Sequence, residues 1–142
     1  MKRKMKFILI SVGIISIFMY LSLNIFSYFD PFSFCRIKIH SDILNGDRST
    51  IKKALRRLKS SNPSDYRYVC RYVTAISEGR CMNGDPRVDA SFVNPDSAGC
   101  FIRGTKMIYI RPTKNVSIAT VEDRAKLIAT YARMSRDFWN LR

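Results

Sequence analysis

The sequence predicts an α+β domain carried behind an N-terminal transmembrane helix, and three observations predict it. Phe7 to Phe29 runs without a charge. All four cysteines lie beyond that run. The rest of the chain switches between helical and strand periodicity. The domain is expected to be small and disulfide-stabilised, with about three helices and a β-hairpin. The expected organisation is a cytoplasmic basic N-terminus (1–6), a transmembrane signal-anchor (7–29), a connector (30–48) and an extracytoplasmic α+β domain (49–142).

The apolar run exceeds the roughly 20 residues that a helix needs to cross the hydrocarbon core. It is longer than the roughly 7 to 15 residues of a cleaved signal. Its end, Ser27-Tyr28-Phe29-Asp30, offers no small-x-small cleavage site. Phe34 before Cys35 does not suit a lipoprotein. Lys2, Arg3, Lys4 and Lys6 precede the run, against Arg36 and Lys38 just after it. That asymmetry places the N-terminus in the cytoplasm and the domain outside the cell membrane.

Beyond the run, Asp30-Pro31 breaks the helix. Cys35 to Ile39 alternates cationic and apolar residues, as a short strand does. A helix is expected from about Ser49 to Ser60, capped by Ser49 or Asp47, with Ile51, Ala54, Leu55 and Leu58 on its buried face. Asn62-Pro63 reads as a cap followed by proline at the first helical position. A second helix then runs to about Ser77, burying Tyr66, Val69, Cys70, Val73 and Ile76, and Gly79 ends it. Residues 80–98 are rich in turn formers, with a short strand expected over Arg87 to Val93. Cys100 to Arg103 and Lys106 to Arg111 read as a hairpin around Gly104-Thr105, the second strand buried on both faces. Thr120 with Asp123 resembles a capping box. It opens a third helix from Val121 to about Trp139, with Val121, Ala125, Ile128, Tyr131 or Ala132, Ser135 and Phe138 along one face.

Cys35, Cys70, Cys81 and Cys100 in a small exported domain read as two disulfides, with three possible connectivities. Spacing does not choose among them. The pairing taken is Cys35–Cys70 with Cys81–Cys100, which ties the membrane-proximal segment to a helix and staples the long loop. A zinc site would need closer cysteine pairs, so no cofactor is expected.

Net charge is +14. Of the 25 Lys and Arg, four precede the apolar run, so 21 oppose all 11 acids and the outer domain carries about +10. Such a charge gathers polyanions. The densest cluster is the exposed face of the first helix: Lys52, Lys53, Arg56, Arg57 and Lys59. A cationic helix face is commonly only solvated, yet it is the candidate binding surface. The expected partners are the lipid bilayer through Phe7–Phe29 and an anionic envelope polymer or protein. No signature of sequence-specific nucleic acid binding is present.

Catalytic motifs are sparse. Gly-x-Ser-x-Gly is absent, and His40 is the only histidine. It would pair with Cys35 only if that thiol were free. Asp85, Asp89 and Asp96 share one loop and would serve either as calcium ligands or, as aspartates in turns commonly do, as turn formers. The expected function is therefore non-catalytic binding.

Two resemblances bear on this. The order helix, cysteine-bearing loop, hydrophobic hairpin and long helix, with the stretch Gly99 to Ile110 before Val121 to Arg133, resembles the core of small zincin-type metallopeptidases. In that family the helix carries His-Glu-x-x-His, two metal ligands and the general base. Here Val121 to Arg133 contains no histidine, so the resemblance implies at most a degenerate hydrolase without zinc or activated water. The basic leader, apolar helix and small cysteine-bearing domain also resemble pilin-like proteins. The glutamate that follows their processed glycine is missing after Gly13.

Overall fold

The computed structural model describes residues 11–16, 26–79 and 98–141. Residues 11–16 are helical; the rest form a mixed α+β domain of three α-helices and a short 3-10 turn with one five-stranded sheet. In chain order the elements are β1 (Ser27–Asp30), β2 (Cys35–His40), α1 (Arg48–Ser61), α2 (Pro63–Tyr72), β3 (Ala75–Glu78), β4 (Gly99–Phe101), β5 (Met107–Ile110) and α3 (Ile118–Asn140). The sheet order is β1-β2-β3-β5-β4. The outer pairs are antiparallel and the inner pairs, β2 with β3 and β3 with β5, are parallel. The C-terminal ends of β2, β3 and β5 therefore share one end of the sheet.

The first helix follows its periodicity. Asp47 caps α1, accepting the Ser49 N–H, and Ile51, Ala54, Leu55 and Leu58 are buried. β2 alternates as its sequence does: Cys35, Ile37 and Ile39 point into the core, and Arg36, Lys38 and His40 point out. Asn62 caps α2, with Pro63 at its first turn. The Cys35–Cys70 disulfide is present, joining the start of β2 to α2. Cys100 is disulfide-bonded as well, and Cys81 lies outside the described residues.

Other elements differ from expectation. The second helix stops at Tyr72, and Val73 is already extended (φ −123°, ψ 124°). The residues read as its last turn form β3, the central strand, and Gly79 follows that strand. Val73, Thr74 and Ile76 are β-branched and fit a pleated surface better than a helix. Over so few residues a buried strand and a buried helical turn show the same apolar pattern. The sheet thus has five strands where a hairpin and little more were expected. Residues 27–29 of the uncharged run pair with β2 as β1, in the register Ser27↔Lys38. Phe26, immediately before, is helical. β5 is fully buried on one face only: Ile108 and Ile110 are inside, whereas Met107 and Tyr109 are half-exposed. The third helix begins earlier than read, at Ile118. Its cap is Ser117, which accepts the Thr120 N–H at 3.2 Å, and no Thr120–Asp123 box forms. No helix among the described residues is long and apolar enough to cross a membrane. Most of the run 7–26, like the strand expected over Arg87 to Val93, lies outside them.

The core sits between the sheet and the helices, where Ile39, Ile76 and Ile108 meet Leu55, Val69, Ile128 and Ala132. One ionic cluster closes its loop end. Glu78, at the end of β3, has a side chain with no exposure, and its Oε1 lies 2.7 Å from Nη2 of Arg124, itself 5% exposed. That contact is Coulombic, because no aligned hydrogen bond reaches Oε1. Arg124 instead donates to Thr50 Oγ1 (2.6 Å) and to the Arg111 carbonyl (2.9 Å). Ser41 Oγ donates to Glu78 Oε2. One arginine so ties α3 to β3, to the first turn of α1 and to the segment after β5.

Candidate functional site

Helical spacing divides the cations of α1 into two rows. Residues three and four apart share a face, so Arg48, Lys52, Arg56 and Lys59 form one row and Lys53 and Arg57 another. The first row overhangs β1, an edge strand of the sheet. Lys52, Arg56 and Lys59 line a cavity of about 460 Å³ with Ser27, Tyr28, Phe29 and Asp30. One wall is the strand edge and the other is cationic. Desolvation lowers the Lys52 pKa, and the neighbouring charges of Arg56 and Arg48 lower it further. Three cations therefore stand close together along one side of this groove.

Asp30 supplies the counterweight. Its carboxylate is buried, 2.6 Å from Lys59 Nζ, and accepts a 2.8 Å hydrogen bond from Tyr66 Oη. Burial alone would raise its pKa, but hydrogen bonds from Lys59, Tyr66 and Ser33 outweigh that and hold it at about 2. Tyr66 also lies 3.0 Å from Tyr28 Oη. Its own ionisation is pushed up, first by burial and then by its hydrogen bonds with Tyr28 and Asp30. Lys59 is thus anchored in place, and Lys52 and Arg56 line the groove with it.

The other two cations of the expected cluster do not join it. Arg57 turns toward α3 and pairs with Glu122 at 2.8 Å, both partly exposed. Such surface pairs contribute about 0–1 kcal/mol. Lys53 is exposed and lies near Asp47.

An apolar tip completes the groove. The hairpin between β1 and β2 turns through Pro31–Ser33, with Asp30 capping it by accepting the Phe32 N–H. Phe32 and Phe34 are each 92% exposed. Phe34 sits in the left-handed region, at φ 49°, where a residue with a Cβ is disfavoured. It gains no burial in return. Lys59 Nζ lies 6.0 Å from the Phe32 ring centroid. Cys35, next to Phe34, is held to α2 by its disulfide, so the tip stands on a cross-linked base.

The chain matches no family model, no curated protein and no solved structure. The groove and tip offer cationic hydrogen-bond donors and exposed aromatic rings. Among the described residues no three His, Cys, Asp or Glu side chains gather into a metal site. Cys35 is in a disulfide, so it does not pair with His40, which lies exposed on the outer face of the sheet. Asp85, Asp89 and Asp96 lie outside the described residues. On the helix compared with zincin-type metallopeptidases, Arg124, Ala125 and Ile128 face the core.

Sequence reasoning missed two parts of the site: β1 and the phenylalanine tip. The tip gave no signal, because Phe32 and Phe34 fall within the expected connector, which has no periodicity to place them.

Proposed function

We propose that the protein is a membrane-anchored, extracytoplasmic, non-catalytic domain that binds an acidic, extended envelope partner along β1. The observation that carries this reading is the groove in which Lys52, Arg56 and Lys59 face the edge strand. An edge strand offers main-chain hydrogen bonds to an added strand. The cations select for negative charge, and Phe32 and Phe34 offer apolar anchorage of the kind enriched at interface hot spots. The anchor is the uncharged run, whose length suits a membrane and whose flanking charge asymmetry directs the domain outward.

The test compares two charge reversals of equal size on an immobilised polyanion. Lys52→Glu with Arg56→Glu alters the groove, and Lys53→Glu with Arg57→Glu alters the other row. The groove variant is expected to elute at clearly lower salt, the other variant close to wild type. Equal shifts in both would reduce the effect to net charge and remove the groove as the site. Salt-independent behaviour of all three proteins would remove the polyanion reading altogether.

A further inference from the structure

The end of the sheet opposite the phenylalanine tip carries a second exposed apolar set. β1 starts there, β2 and β5 finish there, and α1 and α3 begin there. Phe26 is 62% exposed, Ile43 92%, Leu44 73%, Val116 50% and Ile118 79%. They come from three separate places in the chain: the residue before β1, the loop after β2, and the segment that leads into α3. The two loops are neighbours, since Arg124 donates to the Arg111 carbonyl on one side and lies against Glu78, which accepts from Ser41, on the other. Asp42 fixes its own loop by accepting the Leu44 and Asn45 N–H groups at 2.9 and 3.2 Å, which leaves Ile43 and Leu44 held outward at the turn. Arg48 stacks 4.8 Å above the Phe26 ring. Exposed cations Lys38, Arg111 and Lys114 with Arg48 outnumber Asp42 and Asp47, one of which is occupied as a loop bracket and the other as a helix cap.

The path of the chain says what this rim faces. Phe26, which belongs to the uncharged run, is helical and is followed directly by Ser27, the first residue of β1. A domain joined to a bilayer at that point, by a strand that starts at this rim, has the rim against the headgroups. Apolar side chains ringed by cations are the pattern of surfaces that settle into the headgroup layer of anionic lipid.

We infer that the rim formed by Phe26, Ile43, Leu44, Val116 and Ile118 docks on the anionic surface of the bilayer that anchors the chain. The inference rests on the anchor reading and adds an orientation to it: the rim lies down, and the groove tip points away. The two Phe-bearing ends then have different partners, lipid below and the acidic chain above.

The experiment uses the full chain in vesicles of mixed neutral and anionic phospholipid with brominated acyl chains, which quench tryptophan. Trp139 stands near the far end of α3, about 30 Å from Ile118 along the helix axis, and serves as the reference. Leu44→Trp and Ile118→Trp each add a fluorophore at the rim. The expected result is loss of the added emission in both variants, weaker in purely neutral vesicles, with wild-type Trp139 unquenched. Unquenched variants on a chain that stays with the vesicles through an alkaline wash would overturn the docking and leave the anchor standing. Quenching of Trp139 in the wild type would overturn the orientation. Release of the chain by the wash would overturn the anchor reading, and the docking with it.

Discussion

Replacing Cys35 and Cys70 by alanine removes a cross-link between positions 35 apart in the chain. In the chain-entropy treatment a loop of that size restricts the unfolded state by about 12.7 cal/mol/K, or about 3.8 kcal/mol at 25 °C. Cys35 is fully buried in the core, so losing its sulfur adds about 1 kcal/mol of cavity cost. Alanine is preferred to serine because a hydroxyl at that depth would need a partner. The expected loss is about 4–5 kcal/mol, a large fraction of a small domain's stability. For a domain of this size that corresponds to a fall in Tm of roughly 12–20 °C. Thermal unfolding of both proteins, followed by circular dichroism in one detergent, measures it. A loss below about 1 kcal/mol would refute the reasoning, because the unfolded chain would then already be as restricted as the cross-link makes it.

Two further outcomes are expected. Asp30 has a folded pKa of about 2, below the 3.8 of a free carboxyl. Its contribution is therefore complete above about pH 4 and is lost as pH falls toward 2, amounting to about 1–2 kcal/mol after allowing for solvent near the groove. Denaturant titrations from pH 5 to pH 2 should show that slope in the wild type and a flatter one in Asp30→Asn. Parallel curves would mean the carboxylate is not held by Lys59 and Tyr66. Gly46→Ala places a Cβ onto Glu78 Oε2 and crowds Ser41 Oγ and the Asp42 carbonyl. Displacing Glu78 from its buried arginine costs about 3 kcal/mol, measurable as a lowered urea midpoint. A cost under about 1 kcal/mol would show that Glu78 swings aside freely.

What could be read from the sequence followed from patterns long enough to be unambiguous. The buried face of α1 spans two turns, and Ile51, Ala54, Leu55 and Leu58 allow one interpretation. The alternation of Cys35 to Ile39 marked β2, and the Asn62-Pro63 cap marked the start of α2. β3 was hidden because its four residues continue the apolar spacing of the helix before them. β1 was hidden because a run without charges has no internal period by which to place its end. Of the site, the cations were visible but their arrangement was not. Lys53 and Arg57 belong with Lys52 and Arg56 by composition and apart from them by helical angle. The groove exists only because β1 is an edge, which depends on pairings between distant segments. The tip at Phe32 and Phe34 contradicts the expectation that large apolar side chains are inside.

α3 follows all five strands in the chain, yet it supplies Ala125, Ile128, Ala129 and Ala132 to the shared core and Arg124 to Glu78. During synthesis the cover is therefore made after everything it covers. Until α3 arrives, α1 and α2 cover the sheet only in part and Glu78 lacks Arg124 beside it. The β1–β2 hairpin and the α1–α2 pair are made of local contacts and form early, while joining them through β3 and β5 waits on distant segments. Synthesised from its N-terminus, such a chain is a half-built surface until α3 completes its hydrophobic side. Its passage to the folded state then depends on protection from neighbouring copies during that interval.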